Sequence, residues 1–173
     1  MKRRADLIWA LAEGSLMLAM AAISWATRQP LIFASLGPTA YELVEQPQLR
    51  SARTYNIIVG HLAGLGSGFL SIYLFNAWNS PAVSSAGVLT TNRLWVVAVA
   101  AALTTVVTLM LRAAQPAALA TTLLVALGLM QTRRDAIAII AGVIIMAAIG
   151  VPLRRLRLKI LEMRSMATTP TPG

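Results

Sequence analysis

Apolar residues along this chain are gathered in four long runs. A bilayer core about 30 Å thick requires ~20 apolar residues of helix, and each run reaches or approaches that length. The runs cover residues 7–26, 55–75, 94–111 and 136–151. The first contains a single charged residue, Glu13, and we expect the last to end at Pro152, because proline disrupts a helix interior. The pattern predicts four transmembrane helices.

Two shorter apolar segments lie between these runs. The first opens with Gln29-Pro30 and the second with Gln115-Pro116, and proline is favoured in the first turn of a helix. The order long–short–long therefore occurs twice. Paired short or proline-interrupted segments are typical of transporter binding sites. The sequence predicts an all-α protein, a polytopic transmembrane helix bundle with four long spans and two short Gln-Pro-initiated helices, arranged as two three-helix repeats.

We interpret residues 1–173 as a single membrane domain. Its parts are repeat 1 at about 7–75, a loop at 76–92, repeat 2 at about 93–152 and a basic amphipathic tail at 153–173. We expect the tail to contact anionic lipid headgroups, because its basic and apolar residues alternate at roughly helical spacing. The final seven residues, ATTPTPG, are predicted to be disordered.

The distribution of positive charge bears on whether the short segments cross the membrane. If they cross and both termini are cytoplasmic, eleven of the fifteen Lys and Arg residues lie on the cytoplasmic side. If they do not cross, the division is nine against six. The positive-inside rule favours six crossings, with four as the alternative. Six crossings give the two repeats opposite orientations, which is an inverted repeat.

Composition agrees with a multi-pass protein of a cell membrane, and we expect a bacterial inner membrane. Only 12% of the residues are charged, about half the share in a soluble domain. The net charge of +9 comes from residues that flank the apolar runs, so it indicates topology and the lipid bilayer as partner, not nucleic acid. With no cysteine and one histidine, the sequence predicts no metal site, no cofactor and no enzymatic activity.

The segment 33–40, FASLGPTA, carries the first candidate binding residues. Pro38 removes a backbone donor and clashes with the preceding turn, so we expect the helix to kink or restart there. A restarted helix presents free N–H groups and a positive dipole end, which suit an anion. Ser35, Gly37, Pro38 and Thr39 are therefore candidate substrate contacts. The alternative is a proline kink that a neighbouring helix satisfies.

The segment 56–61, NIIVGH, begins the second long run of repeat 1 and supplies Asn56 and His61 as further candidates. Gly60, Gly64 and Gly68 follow at a spacing of four residues. Such a stripe of small residues lets another helix approach closely, so we interpret these glycines as helix-packing positions.

An ionisable residue within a span is a functional hypothesis by default. Glu13 and His61 each lie six residues inside their runs, about 9 Å deep at helical rise. In the six-crossing arrangement they enter from the same side, so a pH-sensitive gate formed by the pair is one hypothesis. The other is that each side chain separately faces a wet interface. In repeat 2, Gln115 and Thr121 are candidate lining residues.

These segments resemble the HPP family of small integral membrane proteins, and the similarity extends over about residues 7–151. Its strongest part is the segment 33–40, and the next is 56–62, NIIVGHL. The segment 115–124, QPAALATTLL, occupies the place of the His-Pro-Pro motif that names the family.

The chain departs from the family pattern in two places. Gln115-Pro116-Ala117 stands where the family has His-Pro-Pro, and Thr54-Tyr55 stands where it has Pro-Arg. The resemblance implies a membrane protein from a family mostly of unassigned role, with some plant-chloroplast and cyanobacterial relatives linked to nitrite transport. That link agrees with an anion at a restarted helix. Because Gln115 replaces the histidine of the motif, the resemblance does not identify the substrate.

The leading functional hypothesis is a small transporter or channel-like permease for a small anion such as nitrite. The alternative is a non-transporting scaffold or accessory subunit that docks a partner through its glycine-rich helix faces. A homo-oligomer is compatible with both, because six short helices enclose little volume.

Overall fold

The computed structural model describes residues 2–168, with side chains for residues 7–166. Every regular element in this part of the chain is a helix. The helices are α1 (Lys2–Thr27), α2 (Leu36–Val44), α3 (Thr54–Leu74), α4 (Val83–Ala86), α5 (Thr91–Met110), α6 (Pro116–Ala126) and α7 (Arg133–Thr168). The last five residues, part of the segment predicted to be disordered, lie outside the described residues.

Four of these helices are long and apolar enough to cross a membrane, which confirms the four predicted spans. They include Leu7–Thr27, Thr54–Leu74, Thr91–Met110 and Arg133–Met166. Large apolar side chains cover their outer faces, and Leu18, Tyr73, Met110 and Ile137 are each more than 60% exposed. A surface of this kind is stable against lipid, so the protein is a multi-pass helical bundle in contact with the bilayer.

The two ends of the bundle are identified by contacts between α1 and α7, which run antiparallel. At one end, Arg134 Nε donates to Gln29 Oε1 over 3.2 Å. At the other, the Arg157 guanidinium lies 4.5 Å from the centre of the Trp9 ring. We call the first the loop end and the second the tail end.

The segment after α1 follows α7 from the loop end to the tail end. Leu31 lies against Gly142 and Leu43 against Gly150, and Pro47 accepts a hydrogen bond from Arg154 Nε over 2.8 Å. The 20 residues of α7 between positions 134 and 154 measure about 30 Å. The segment 29–47 therefore travels a distance close to the thickness of a bilayer core.

The corresponding segment after α5 follows α3 in the opposite direction. At the tail end, the Tyr55 hydroxyl donates to the Leu111 carbonyl over 2.9 Å. At the loop end, Arg93 in the first turn of α5 donates to the Ala126 carbonyl over 3.1 Å. Between these points α6 runs parallel to α3 with its residues packed against the glycine stripe.

The two short helices begin differently, although both follow a Gln-Pro pair. α6 begins at Pro116 with Gln115 as its N-cap, as predicted. α2 begins only at Leu36, so the prediction that Gln29-Pro30 initiates it is wrong. The physical reason is Pro38, which lacks the N–H that a helix from residue 30 would need to bond to the Ala34 carbonyl. In the observed helix Pro38 lies in the first turn, where no such donor is required.

α7 passes through Pro152 and continues to Thr168, so the predicted end of the last span at this proline is wrong. At 36 residues, the helix is about 54 Å long and exceeds the thickness of a bilayer core. A proline within a helix is tolerated when contacts on both sides of it hold the helix together.

Those contacts lie at the tail end, where basic residues after Pro152 pack on protein. Arg154 bonds to the carbonyl of Pro47, and Arg157 Nη2 lies 3.7 Å from Glu45 Oε2. Arg157 is buried by these neighbours and by Trp9. One face of the tail is therefore an internal surface, and headgroup contact stays a prediction for its exposed face.

The predicted glycine stripe faces α6 at very short range. An added Cβ at Gly60 would lie 2.7 Å from Gln115 Cβ, and one at Gly68 would lie 2.8 Å from Val125 Cβ. At Gly64 it would meet the carbonyl oxygen of Ala118. These distances are shorter than van der Waals contact, so α3 and α6 approach closely because the glycines lack side chains.

Replacing Gly64 with alanine is expected to destabilise the protein by about 1–3 kcal/mol, because a backbone carbonyl cannot move aside for the new methyl group. The measurement is thermal unfolding in detergent, followed by tryptophan fluorescence. Gly66→Ala is the matched control, since a Cβ at Gly66 meets no atom within 4 Å. It should leave the melting temperature unchanged or raise it, because alanine is the better helix former. Equal melting temperatures for the two variants would contradict the packing role.

Candidate functional site

Four of the candidate residues form one buried hydrogen-bonded cluster in the middle of the bundle. His61 Nε2 lies 2.9 Å from Thr39 Oγ1, and His61 Nδ1 lies 2.7 Å from Thr121 Oγ1. Thr121 Oγ1 lies 2.8 Å from Ser35 Oγ, and Thr39 Oγ1 donates to the Ser35 carbonyl over 3.1 Å. All four residues are buried. The bonds close into a ring that starts and ends at Ser35, and we call it the histidine ring.

The bond to the Ser35 carbonyl sets the direction of the hydrogen bonds around the ring. A carbonyl only accepts, so the single Thr39 proton is used there and Thr39 Oγ1 accepts from His61 Nε2. A neutral imidazole with its proton on Nε2 accepts at Nδ1. Thr121 donates to it over 2.7 Å, a shorter contact than the 3.4 Å to the Ala117 carbonyl. Ser35 then donates to Thr121. Every polar atom of the ring is satisfied with a neutral histidine.

Three chain segments position these side chains. Ser35 and Thr39 lie at the N-terminus of α2, where the restart predicted near Pro38 occurs. His61 follows the first two turns of α3, and Thr121 lies in the middle of α6. On its other side, His61 borders a cavity of about 30 Å³ whose wall from α7 is Ile139, Ile140, Val143 and Ile144. The polar ring is therefore enclosed by the short segments on one side and by apolar residues on the other.

The structure places the remaining candidates around the ring and not in it. Asn56 Nδ2 donates to the Ala114 carbonyl over 3.1 Å, which ties the start of α3 to the segment before α6. In the first turn of α2, Gly37 is half-buried and Pro38 is exposed, and a Cβ at Gly37 would meet nothing within 4 Å. Gln115 is buried at the start of α6 and makes no hydrogen bond to the ring.

Glu13 and His61 are not brought together. Both ring nitrogens of His61 are occupied by threonine hydroxyls. Glu13 instead lies towards the tail end, one helical turn from Trp9, which contacts Arg157. The physical reason is that α2 carries Thr39 up to His61 and fills the position that a partner from α1 would need.

Sequence reasoning missed the most deeply buried charge in the described part of the chain, Arg93. Its guanidinium donates to four neutral oxygens, those of Ser80 (2.6 Å), Pro81 (3.3 Å), Ala126 (3.1 Å) and the Gln131 side chain (2.8 Å). A cation at the last carbonyls of α6 complements the helix dipole. Gly128, at φ +81°, lacks the Cβ that would collide with this guanidinium. The signal in the sequence was a basic residue next to an apolar run, which we had interpreted only as a topology charge.

Glu42 was missed as well, although it is an acidic residue within a short apolar segment. It lies near the tail end of α2, buried beside Ser51 and Gln115. Its position next to a buried amide and a half-buried hydroxyl gives the bundle a second polar centre, one helical turn from the histidine ring.

The chemistry available at the histidine ring is hydrogen bonding by three hydroxyls and one imidazole. These groups can donate hydrogen bonds to a small anion or polar molecule when the hydrogen bonds between them break. Among the residues that the structure describes, no three His, Asp or Glu side chains converge on a point where a metal ion could bind.

Replacing Thr39 with valine keeps the shape of the side chain and removes its hydroxyl. We expect it to destabilise the protein by about 1–3 kcal/mol, because the buried N–H of His61 then has no acceptor. The measurement is thermal unfolding in detergent. Thr105→Val is the matched control, because Thr105 is exposed and bonds only to its own helix at Ala101. It should change stability by less than about 0.5 kcal/mol, and equal effects would contradict the ring.

The family model described as "HPP, transmembrane region" matches residues 1–160. No curated protein matches the chain, and no solved structure does. The matched residues include all of α1 to α6, the histidine ring and most of α7. The chain therefore belongs to the HPP transmembrane family.

Proposed function

We propose that this protein is a small permease that carries a small anion across the membrane through the region of the histidine ring. The observation that carries the proposal is the ring itself. Four buried polar side chains meet in the middle of an apolar bundle, at the point where the helix of the first short segment begins. Ionisable residues such as His61 are rare within membrane-spanning helices and mark functional sites there, and discontinuous helices line such sites in transporters.

The proposed arrangement is six crossings with both termini on the cytoplasmic side. The segment 29–47 connects the loop end with the tail end, and the segment 111–126 connects them in the opposite direction. Eleven of the fifteen Lys and Arg residues then lie at the tail end, which makes it the cytoplasmic side by the positive-inside rule.

The helix contacts support an inverted repeat of α1–α2–α3 and α5–α6–α7. In repeat 1, α2 packs on α1 and on α7; in repeat 2, α6 packs on α5 and on α3. α1 packs on α7, as α5 packs on α3, and α2 contacts α6 between the repeats. Each of these contacts has its counterpart when the two repeats are exchanged. The histidine ring lies between them, with residues from both, where alternating access requires a binding site.

The charge near the loop end favours an anion over a cation. Arg93 is fully buried there, and its four acceptors are neutral oxygens. Arg133 lines a cavity of about 650 Å³ at the same end, together with Phe69, Trp78 and Gln131. A positive potential at the mouth of a pathway attracts anions and repels cations.

The test is uptake of nitrite, nitrate, formate and chloride into proteoliposomes. We expect selective uptake of at least one of these anions by the wild type. Ser35→Ala should reduce it about tenfold or more, because the variant removes a donor from the ring. Ser15→Ala is the matched control, since Ser15 is exposed on α1 and bonds only to the Leu11 carbonyl of its own helix.

Two outcomes would count against this function. Folded wild-type protein that takes up none of the four anions favours the alternative, a non-transporting subunit that docks a partner. Uptake that Ser35→Ala and Ser15→Ala leave equally intact would move the pathway away from the histidine ring.

The six-crossing arrangement is tested separately by cysteine labelling, because the chain contains no cysteine. Arg50 and Asn79 are both exposed in the structure. With cysteine introduced singly at each position, a membrane-impermeant reagent added outside the cell should label position 79 and leave position 50 unlabelled. The four-span arrangement requires the reverse result.

A further inference from the structure

A second polar centre lies one helical turn from the histidine ring, towards the tail end. Glu42 is 8% exposed and Gln115 is 4% exposed. Three of their side-chain atoms, Glu42 Oε2, Gln115 Oε1 and Gln115 Nε2, are buried and have no hydrogen-bond partner in the part of the chain that the structure describes. Most buried polar atoms in folded proteins have a hydrogen-bond partner. An unpaired carboxyl oxygen beside an unpaired amide therefore supports a site that takes up a ligand.

The two side chains belong to neighbouring elements, because α2 packs on α6. Gln115 and Ser51 are the polar groups that lie against the Glu42 carboxyl. Glu42 follows Thr39 by one turn of α2, and Gln115 precedes Thr121 by six residues as the N-cap of α6. Both helices thus connect this pair directly to the histidine ring, since Thr39 and Thr121 bond the two nitrogens of His61.

The pair fits a proton as its ligand because a glutamine amide can serve either state of a carboxyl group. Against the ionised carboxylate, Gln115 Nε2 can donate. Against the protonated acid, Gln115 Oε1 can accept from the new O–H. A buried carboxylate without a cationic partner is costly, and protonation removes that cost.

Several charged and titratable groups on the described parts of the helices packed against α2 have other partners. Arg157 of α7 lies beside Glu45, the C-cap residue of α2. Arg154 bonds to the Pro47 carbonyl, and the nitrogens of His61 are taken by the threonines. Glu13 of α1 lies one helical turn from Trp9, and Tyr41 is exposed. Ser51 and Gln115 are the polar groups beside the Glu42 carboxyl.

We propose that Glu42, with the Gln115 amide beside it, binds a proton that crosses the membrane together with the anion. The inference rests on the proposed permease function and adds the coupling ion to it. An O–H bond forms at Glu42 when a proton arrives from water on one side, and it breaks when the proton leaves to water on the other side. An anion near the start of α6 would meet a neutral acid in place of a like charge, so anion and proton bind together.

Proton binding is tested first, on purified full-length protein and without transport. Infrared spectra recorded as a function of pH should contain the carbonyl band of a protonated carboxylic acid, which disappears as the pH rises. This band should be lost in Glu42→Gln and retained in Glu45→Gln, the matched change at the acidic C-cap residue of α2. A band that is unchanged in Glu42→Gln would overturn the proposal, whether or not the protein transports anything.

Coupling is tested next in proteoliposomes with an imposed pH gradient. A gradient of one pH unit can drive accumulation of a cotransported anion on the order of tenfold. We expect wild type and Glu45→Gln to accumulate the anion when the outside is acidic. Glu42→Gln should lose accumulation while it still exchanges labelled for unlabelled anion. Wild-type uptake that does not depend on the pH gradient would contradict proton coupling but not the permease function. The absence of any uptake would contradict the permease function itself.

Discussion

The close approach of α3 to α6 is the contact on which the rest of this bundle depends. Gly60, Gly64 and Gly68 remove the side chains from one face of α3, and the backbone of α6 fills the space. Only at that distance can the short side chain of Thr121 reach the ring of His61, 2.7 Å away. A larger residue in the stripe would separate the helices and break the polar cluster, so a packing feature determines the geometry of the candidate site.

Periodicity and composition predicted the parts of the fold that hydrophobic burial decides. Four long apolar runs became four long helices, and the break at Gly37-Pro38 became a helix start because proline has no N–H to continue the ladder. The errors fall where tertiary contacts override a local rule. α7 continues through Pro152 because Arg154 and Arg157 hold its distal part to the protein, and Pro30 initiates no helix because Pro38 follows too soon.

The candidate site was predicted in composition but not in connectivity. The sequence identified the candidate residues Ser35, Thr39, His61 and Thr121. It predicted the wrong partner for His61, however, because the spacing suggested a contact with Glu13. The depth of a residue in the membrane can be estimated from its position along a helix. The rotation of that helix about its axis, and therefore the residues that it contacts, depends on packing against other helices. Arg93 and Glu42 were missed for a related reason, since only the folded bundle reveals how deeply each is buried.

Three different buried polar groups follow one another along the axis of the bundle. Near the loop end, Arg93 supplies a permanent positive charge held by neutral oxygens. In the middle, the histidine ring is neutral and fully hydrogen-bonded. One of its groups can donate to an anion only when a hydrogen bond within the ring breaks. Towards the tail end, Glu42 carries a carboxyl group, and the neighbouring Gln115 amide can accommodate its charged or its neutral form. An anion that enters beside Arg93 would be stopped by a charged Glu42 and admitted by a neutral one. The order of these three groups thus gives a physical reason why an anion and a proton would move together.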